Sequence, residues 1–402
     1  MGDTLNSTDL MRGAPPPADR QVTLANWRLP PFNRWGFQNV RQILPTAPIS
    51  RGGAAVLPLA ADRSPIDGIT FAGPDGSEWT VARMLAETWT DGFVVLRGGR
   101  VVAEHYDNGQ RPETLHLVFS VSKSFTGALA GIAAESGQLD PDAPVTRYIP
   151  EAAGSAYGDC TVRHVLDMTV GTSFEESYLD PTGDYVRYRV ATGWNPPGDP
   201  SWIADMRGFL LTLKRDRKPH GDTFHYVSPN SDLLGWILER ATGERLAELM
   251  SRALWSKMGA ESDAEITVDR LGAARTAGGI SVTLRDLARL GETMRRGGKA
   301  GKAQVIPAAW VADILGKGDR AAWARGEMAE LLPGGSYRSQ WYSLNNASGA
   351  FCAIGIHGQW IYVDPAAEIV IAKQSSQPLP VDDATDHLLL RGFDAIARAL
   401  QG

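Results

Sequence analysis

The chain has 402 residues, of which 43% are hydrophobic and 21% are charged, and its formal net charge at pH 7 is −6. These values are typical of a globular protein with a sizeable core. The lack of a basic surplus argues against a nucleic-acid partner. Because no run of the sequence approaches the eighteen or more apolar residues of a bilayer-spanning helix, we also expect no membrane partner.

The first twenty residues are polar and rich in proline, which predicts a flexible lead-in over 1–20 ahead of a single domain over 21–402. They lack the charged and apolar regions of a secretory signal. The two cysteines, Cys160 and Cys352, lie far apart and have no zinc-ligand spacing. We therefore expect buried thiols in a reducing compartment, which predicts the cytoplasm, and neither a metal nor another cofactor.

Strands are predicted near both ends of the chain. Two valine-rich runs within 91–106 flank Gly98 and Gly99, a pair that tolerates a tight turn, so this segment is expected to form a β-hairpin. Three short apolar runs within 349–373 predict three further strands. The helical periodicity of Asp383–Leu400 predicts a closing helix that packs on the sheet formed by these strands.

The middle of the chain is helical by pattern, and its periodic segments end at glycines or polar loops. These segments are 124–137, 161–168, 201–216, 231–259 and 283–298. The fold class predicted is α+β, with an antiparallel sheet built from both chain ends, flanked by helices, and an inserted, mostly helical lobe. We expect the sheet-containing lobe to span about 21–118 plus 265–402 and the helical lobe about 119–264.

The segment "SVSKS" contains the first candidate for chemistry. Ser120 and Lys123 form an S-x-x-K pair that lies on one face of the following helix, one turn apart. A helix N-terminus favours a developing anion, and a lysine in apolar surroundings loses hydration, so its pKa should fall and it can take the proton of the serine. The alternative is a capping serine with a solvated lysine. Ser122 and Ser124 have no lysine at the right offset.

The segment "FHYVSPNSDLLGW" is the second candidate. Tyr226, Ser228 and Asn230 alternate, as on a short extended stretch that enters a helix at Ser231 and presents one side to a cleft. A tyrosine beside a cationic lysine can act as a general base because the positive charge stabilises the phenolate. The alternative is a helix entry in which Asn230 or Ser231 is the cap and Tyr226 is a boundary aromatic.

The segment "GIHGQW" is the third candidate, and we expect it to lie on a strand. Gly358 interrupts an apolar run, and a glycine within a strand often marks close approach of a ligand to the backbone. The N–H group of Gln359 could then point at a substrate carbonyl oxygen. His357 is either part of the site or a histidine whose hydrogen bonds are satisfied within the core.

Two loops supply the remaining candidates. Tyr178 lies in the long loop 173–189 and could cover a pocket, although an ordinary surface aromatic is an equally good interpretation. Trp194 lies in the loop-like segment 193–200, where it would line a pocket, pack in the core or sit at a rim. No G-x-S-x-G, P-loop or strand-linked G-x-G-x-x-G motif occurs, so α/β-hydrolase, kinase and dehydrogenase chemistry is not indicated.

The ordered set S-x-x-K, Y-x-S and a glycine-containing strand motif resembles the serine β-lactamase and penicillin-recognising superfamily, in its class C-like esterase and amidase branch. Within that branch the chain resembles the 6-aminohexanoate-dimer, or nylon oligomer, hydrolases over nearly its whole length. Segments that fit this family are "PPFNRWGF", "SVSKS", "VLDM", "YLDP", "ITVD", "GGISVTLRDLARLG", "SYRSQWY" and "GIHGQWIYVDP".

The resemblance implies a role for each matching residue. Ser120 would be the nucleophile, Lys123 would accept or relay its proton, and Tyr226 would act as general base and then protonate the leaving group. The backbone N–H groups of Ser120 and Gln359 would form the oxyanion hole. The residues that would bind substrate are Tyr178, His357, Gly358, Ser228 and Trp194.

Two features depart from the family pattern. Arg187 and Arg189 follow "YLDP" where a neutral or acidic residue is expected to meet the amino group of a cationic linear amide, and like charges there would weaken binding. The segment 273–279 lacks a larger polar group ahead of its glycine pair. These departures make short acyl esters an equally good substrate class, since esters need less protonation of the leaving group than amides do.

The sequence therefore predicts a serine hydrolase that cleaves small esters or linear amides through an acyl-enzyme on Ser120. Its partner is a small-molecule substrate, and homodimer formation is left open. A β-lactamase or D-amino-acid peptidase is the alternative, but the lysine of Lys-Thr-Gly that meets a drug carboxylate is missing. A non-catalytic binding protein of the same fold is disfavoured because Ser120, Lys123 and Tyr226 are all present.

Overall fold

A computed structural model describes residues 7–216 and 218–401. The strands in this part of the chain are β1 Thr46–Ile49, β2 Thr70–Ala72, β3 Glu78–Thr80, β4 Thr90–Arg97, β5 Arg100–Tyr106, β6 His116–Leu117, β7 Ala264–Thr267, β8 Ile280–Val282, β9 Lys299–Ala300, β10 Ala303–Gln304, β11 Ser336–Arg338, β12 Trp341–Ser343, β13 Phe351–Gly355, β14 Gln359–Asp364 and β15 Ile369–Ser375.

The α-helices in the same part of the chain are α1 Asn33–Gly36, α2 Val81–Glu87, α3 Val121–Glu135, α4 Val162–Leu166, α5 Asp184–Ala191, α6 Met206–Thr212, α7 Ser228–Thr242, α8 Leu246–Met250, α9 Ser256–Met258, α10 Leu284–Arg295, α11 Ala308–Gly316, α12 Arg320–Ala324 and α13 Asp383–Leu400. Among these helices, none combines the length and apolar character needed to cross a bilayer.

A seven-stranded antiparallel sheet unites the two ends of the chain, in the order β11-β12-β13-β14-β15-β4-β5. The predicted hairpin is β4 and β5, and its turn uses Gly98 and Gly99 at φ angles of 54° and 78°, which favour glycine. β15 pairs with β4, from Ile369 opposite Arg97 to Ser375 opposite Thr90. The predicted α+β class and the origin of the sheet in both chain ends are therefore confirmed.

Helix α13 covers one face of this sheet, as its periodicity predicts. Its apolar stripe packs with the sheet in one buried cluster, and the ring of Phe393 contacts the rings of Phe93 and Trp360. The helix begins behind Asp382, whose side chain accepts a hydrogen bond from the Thr385 backbone N–H. Such a cap satisfies a helix-end donor that would otherwise lack a partner.

A second sheet has the order β1-β7-β8-β6, and its residues Ile266 and Ile280 lie in the same buried cluster as Phe125 of α3. β6 is only two residues long and pairs with β8, and the chain then passes directly into α3. Val118 continues this pairing because its N–H donates to the carbonyl of Ile280 at 3.0 Å. This short strand therefore fixes the approach of the chain to the N-terminus of α3.

Helix α3 is buried along most of its length, which explains its run of small residues. A Cβ atom at Gly127 would lie 2.2 Å from the carbonyl oxygen of Ser339, and one at Gly131 would lie 2.4 Å from the Trp310 ring. Neighbouring backbone and side chains thus approach α3 as closely as glycine permits. The helix is consequently held on several sides by groups that leave no room for a larger residue.

Two local predictions are wrong in detail. Helix α7 begins at Ser228 and not at Ser231, with Pro229 in its first turn, a position where the missing N–H of proline carries no penalty. The segment "GIHGQW" is not a continuous strand, because β13 ends at Gly355 and residues 356–358 form a turn to β14. Positive φ angles of 62° at His357 and 83° at Gly358 make this turn.

Residues 7–20 belong to the proposed lead-in and contain two short 3-10 helices. Leu10 is buried in an aromatic-rich cluster with Trp27 and Phe37, and the backbone N–H of Ser7 donates to the side chain of Asn108. The first six residues of the lead-in lie outside the described part of the chain, and its flexibility stays a prediction.

Candidate active site

The candidate nucleophile, Ser120, stands immediately before α3, behind a residue with an unusual backbone conformation. Phe119 has a φ angle of 43°, which is uncommon for a bulky residue and turns the chain sharply from β6 into the helix. Its ring is buried against Phe37 and Trp194, so surrounding packing holds this conformation. Ser120 makes no side-chain capping bond, so the capping alternative does not describe its hydroxyl.

Lys123 is fully enclosed and directs its amine to Ser120. Its Nζ lies 3.0 Å from Ser120 Oγ, 3.2 Å from Ser228 Oγ and 2.6 Å from the carbonyl oxygen of Ala277. Only 1% of its surface is exposed, so the solvated-lysine alternative is wrong. An ammonium has three N–H donors, and these three oxygens accept all of them.

Burial lowers the pKa of Lys123 to about 8, because the charged form loses its hydration. The negative charges of Glu176 and Asp232 oppose this shift and raise the pKa, while the positive charge of Arg275 lowers it. Lys123 can therefore exist as a neutral amine near physiological pH, which an exposed lysine cannot do to a useful extent. A neutral amine beside Ser120 Oγ can accept the hydroxyl proton.

Tyr226 completes the polar centre from the segment before α7. The Lys123 Nζ lies 4.9 Å from the centre of the Tyr226 ring. Burial and the charge of Glu176 raise the pKa of Tyr226 well above its usual value, whereas hydrogen bonds to Ser120 and Tyr342 lower it. Because the raising causes dominate, Tyr226 is a neutral phenol in this state, with a proton to donate.

The two neighbouring serines anchor α3 and take no part in this centre. Ser122 Oγ accepts a hydrogen bond from the backbone N–H of Ile280 at 3.0 Å. Ser124 Oγ donates to the carbonyl of Gln340 at 2.8 Å. Both hydroxyls are buried, so of the three serines in "SVSKS" only Ser120 faces the lysine.

Ser120 opens onto a cavity of about 630 Å³. That volume is within the range of small-molecule sites and suits a substrate of modest size. Its walls combine aromatic, aliphatic, acidic and basic side chains, and the end of β13 lies at the cavity. The lining residues that matter for the chemistry are Ser120, Tyr178, Tyr226, Tyr342, Ile356 and Gly358.

Tyr178 lines this cavity and is held by a carboxylate that sequence reasoning missed. Its hydroxyl donates to Glu176 Oε1 at 2.8 Å, and Ser228 Oγ donates to the same oxygen at 2.7 Å. Ser228 is buried and contacts Lys123 and Glu176, outside the cavity lining. A sequence signal for Glu176 was its place midway between the aromatic residues Phe174 and Tyr178, since alternate residues of an extended segment face the same side. In the structure all three are at least partly buried, whereas residues 175 and 177 are exposed.

The structure differs from the sequence prediction at His357 and Gln359. His357 is buried, and its Nδ1 lies 2.7 Å from the carbonyl of Gln377. Burial lowers the pKa of His357 to about 3, so it is neutral and structural. The Gln359 side chain donates to the carbonyls of His357 and Ser375, and Gln359 does not line the cavity.

The turn between β13 and β14 places a different backbone segment beside the nucleophile. A Cβ atom at Gly355 would lie 3.2 Å from the Ser120 backbone nitrogen and 2.6 Å from the carbonyl of Val118. Gly355 and Ile356 both line the cavity. The close approach therefore requires glycine at 355 and brings the following residue, Ile356, next to Ser120.

Trp194 packs in the core and does not line the cavity. It is 3% exposed, its ring meets those of Trp27 and Phe119 edge-on, and its indole N–H donates to Thr267 Oγ1 at 3.1 Å. The guanidinium of Arg275 lies 4.6 Å from the centre of its ring. Trp194 thus supports the residue before the nucleophile and does not contact substrate space.

The two arginines that depart from the family pattern also lie outside the cavity lining. Arg189 donates to the carbonyl of Tyr178 at 2.8 Å, and its guanidinium stacks over the Tyr185 ring at 4.2 Å. Arg187 is on the exposed side of α5, near Asp184 at 3.6 Å. Arg189 therefore holds the Tyr178 loop in place. Since neither arginine lines the cavity, the expected direct repulsion of a cationic substrate does not apply.

A buried ion pair behind the lysine was also missed. Arg275 Nη1 lies 2.7 Å from Asp232 Oδ2 on α7, and Tyr188 donates to the same carboxylate. Asp232 also accepts from the backbone N–H of Ala277 at 2.8 Å. Because Ala277 supplies the carbonyl that binds Lys123, this ion pair fixes one of the three acceptors of the lysine.

Comparisons with known proteins find similar sequences and structures. The beta-lactamase family model matches residues 81–394. A relative from Paenarthrobacter ureafaciens, named 6-aminohexanoate-dimer hydrolase, is 41% identical over 370 residues, which are 91% of this chain and 91% of that protein.

Solved structures share the fold. A structure from Bacillus anthracis, provisionally assigned as a 6-aminohexanoate-dimer hydrolase, superposes with a TM-score of 0.87 at 26% identity and covers 96% of this chain and 99% of that chain. EstCE1, described as a hydrolase with promiscuous acyltransferase activity, has a TM-score of 0.61 at 19% identity and covers 80% of this chain and 98% of that chain. The second likeness supports the fold alone.

Proposed function

Since the chain belongs to the beta-lactamase family, in the branch that contains the 6-aminohexanoate-dimer hydrolase of Paenarthrobacter ureafaciens, we propose that it is a serine hydrolase that forms an acyl-enzyme on Ser120. The observation that carries this proposal is the buried Lys123 amine, 3.0 Å from Ser120 Oγ at the floor of the cavity. A neutral amine at hydrogen-bond distance from a hydroxyl is the arrangement that activates a serine nucleophile.

Acylation begins when Ser120 Oγ attacks the substrate carbonyl carbon and its proton passes to Lys123 Nζ. We assign the base role to Lys123 because Tyr226 holds its own proton, its pKa being well above the usual value. Tyr226 then donates that proton to the leaving alcohol or amine as the bond to the carbonyl carbon breaks. The Lys123 ammonium, 4.9 Å from the Tyr226 ring centre, stabilises the phenolate and returns a proton to it.

The carbonyl oxygen becomes an oxyanion during both attacks, and it needs N–H donors aimed at it. The Ser120 N–H, at the start of α3, is the first donor in our proposal. The second donor is the N–H of Ile356, in place of Gln359, because Gly355 lies against the Ser120 backbone nitrogen and Ile356 lines the cavity. Water then attacks the ester carbon of the acyl-enzyme, Lys123 takes the water proton, and Ser120 Oγ leaves with that proton.

The substrates proposed are small esters and linear amides like the 6-aminohexanoate dimer for which the relative is named. The cavity wall carries the carboxylates of Glu327, Glu330 and Asp383, which favour a substrate with a cationic amine. Aliphatic wall residues such as Met328 and Ile356 suit an alkyl chain. Arg187 and Arg189 lie outside the cavity lining, so neither of them repels the amine of a cationic linear amide in the cavity.

A β-lactamase or D-amino-acid peptidase is the alternative function, and the cavity disfavours it. Those substrates carry a carboxylate that needs a cation. The residues before the turn at His357 supply no such cation, since Ala353, Ile354 and Gly355 form the end of β13. The cavity wall includes the cations Lys218 and Arg325, but its acidic residues outnumber them and would repel the carboxylate.

Three further proposals concern the setting of the reaction. We propose that the chemistry lies between a sheet-containing lobe of about 21–118 plus 265–402 and a helical lobe of about 119–264. The cytoplasm is supported by two cysteines that are free and buried, Cys160 and Cys352. A net charge of −6 supports the absence of a nucleic-acid partner, and a homodimer is left as a proposal for solution measurements.

The function is tested with a panel of substrates: short p-nitrophenyl esters, 6-aminohexanoate dimer, D-alanyl amides and nitrocefin. We expect an initial burst of p-nitrophenol from the ester and loss of at least about 10³-fold in kcat for Ser120→Ala, since the covalent route is removed. Ser124→Ala is the matched control because Ser124 lies on the same helix and bonds only to Gln340. Normal ester turnover by Ser120→Ala would exclude the proposed mechanism, and nitrocefin turnover equal to that of the ester would favour the alternative.

A further inference from the structure

Glu176 lines the cavity, and its carboxylate has no part in the mechanism proposed for Ser120, Lys123 and Tyr226. Its Oε1 accepts hydrogen bonds from Ser228 Oγ at 2.7 Å and from the Tyr178 hydroxyl at 2.8 Å. Its Oε2 accepts from the backbone N–H of Ser228, the first residue of α7. A carboxylate is favoured at a helix N-terminus, so both its oxygens are held by donors that stabilise the charged form.

Ser228 connects this carboxylate to the lysine. A hydroxyl has one proton, and Ser228 donates it to Glu176 while its oxygen accepts from Lys123 Nζ at 3.2 Å. A continuous chain of hydrogen bonds therefore runs from Ser120 through Lys123, Ser228 and Glu176 to Tyr178. The chain joins the nucleophile to the loop that covers the cavity.

Among the charged groups around Lys123, Glu176 is the carboxylate with the largest effect on the pKa of the lysine. The groups that face Lys123 are Glu176 from the covering loop, Tyr226 from the segment before α7, Asp232 from α7 and Arg275 from the loop before β8. Asp232 is already paired with Arg275 at 2.7 Å, so these two charges largely offset one another. Glu176 also faces Tyr178, Tyr185 and Tyr226, which are neutral phenols.

We propose that Glu176 is a positioning residue that acts through Ser228 to hold the Lys123 amine beside Ser120, and that the same carboxylate ties this arrangement to Tyr178 on the covering loop. The inference rests on the proposed function of Ser120 and Lys123. The Tyr178 hydroxyl and the Lys123 amine are thus connected through one hydrogen-bonded chain that includes this carboxylate.

The test compares pH profiles of kcat/KM for a short p-nitrophenyl ester. Glu176→Gln keeps one acceptor oxygen and removes the charge, so the pKa values of Lys123 and Tyr226 both fall, and the acidic midpoint should move to lower pH by about one unit. Asp180→Asn removes an equal charge from an exposed position of the same loop, outside the cavity lining, and should leave the midpoint unchanged. Glu176→Asp keeps the charge with a shorter reach and should retain the midpoint while KM rises.

A profile of Glu176→Gln that overlays that of the native enzyme would overturn the inference, as would an equal shift in Asp180→Asn. Ser228→Ala gives an independent measurement if Glu176→Gln does not fold. We expect its kcat to fall about 10-fold or more because Lys123 loses one acceptor and the link to Glu176, and a native kcat in that variant would also overturn the inference. Failure of the proposed function is distinguishable, since the native enzyme would then show no Ser120-dependent burst at all.

Discussion

At the scale of single residues, the environment of Lys123 converts an ordinary side chain into a proton acceptor. Its three hydrogen-bond acceptors come from Ser120, from the start of α7 and from the loop before β8. Each is distant in sequence from at least one of the others, so helical spacing could identify Ser120 as the partner of Lys123 but could not identify Ala277. The enclosure of the amine likewise depends on tertiary packing.

This environment predicts a pH dependence. Below pH 8 the Lys123 amine is protonated and cannot take the proton of Ser120, whereas above its pKa of about 8 it is neutral. We expect kcat/KM for a short ester to rise about tenfold per pH unit up to that value and then level off. A stopped-flow profile from pH 6 to 9.5 checks this, with Lys123→Arg as an inactive control that keeps the positive charge. A flat profile over that range would refute the assignment of Lys123 as base.

At the same scale, the sequence pattern and our proposal name different oxyanion donors. The sequence pattern assigns the oxyanion donor to Gln359 on the assumption that "GIHGQW" is one strand. Residues 356–358 instead form a turn, and Gln359 starts the next strand with its side chain bonded to backbone carbonyls. A glycine after a histidine is compatible with either arrangement, because a local pattern does not specify which glycine meets the nucleophile.

At the scale of elements, the sequence predicts bounds well where a single helical or strand periodicity dominates a segment. The hairpin of β4 and β5 and the helix α13 have the predicted bounds to within a few residues. Helix α7 begins earlier than predicted because Ser228 and Pro229 suit a first helical turn as well as an extended segment. Asn230 consequently lies within the helix, where its Oδ1 accepts from Tyr157, and does not share a cleft with Tyr226.

Helix α3 gives an element-scale prediction. Gly127→Ala would place a Cβ atom 2.2 Å from the carbonyl oxygen of Ser339, a backbone group that cannot move without shifting β11 and β12. We expect the free energy of unfolding to fall by about 1–3 kcal/mol from overpacking, despite the better helix propensity of alanine. Denaturant titration followed by circular dichroism measures it.

Gly154→Ala is the matched control for that experiment, since no atom lies within 4 Å of the position that the added methyl group would take and its φ is not in the left-handed region. Stability of Gly127→Ala equal to that of the control would show that α3 has room to adjust. In that case close packing would not be the reason for the small residues in the helix.

At the scale of the whole molecule, the two cysteines report on global unfolding. Cys160 and Cys352 are free and fully buried, as the sequence predicts, and burial raises the pKa of Cys160 to about 12 and also raises that of Cys352. Both thiols are therefore protonated and inaccessible in the native state, which suppresses their reactivity.

We expect a thiol-reactive chromogenic disulfide to modify neither cysteine of the native protein within minutes at pH 8 and to modify both in denaturant. Protein in denaturant gives the reference value for two thiols, and small free thiol gives the intrinsic rate. Rapid labelling of one cysteine under native conditions would reveal local opening around it, and mass spectrometry would identify which side chain reacted.

The pairing of β4 with β15 has a consequence for the order in which the protein is made. When β4 and β5 leave the ribosome, the strand that β4 pairs with from Ile369 to Ser375 has not yet been synthesised. The nascent hairpin therefore carries an unpaired valine-rich edge throughout translation of the helices, and such edges favour aggregation. Completion of the sheet requires closure of a very long loop, which is slow for topologies of high contact order. The seven-stranded sheet is thus completed only after β15, its last strand in chain order, has been synthesised.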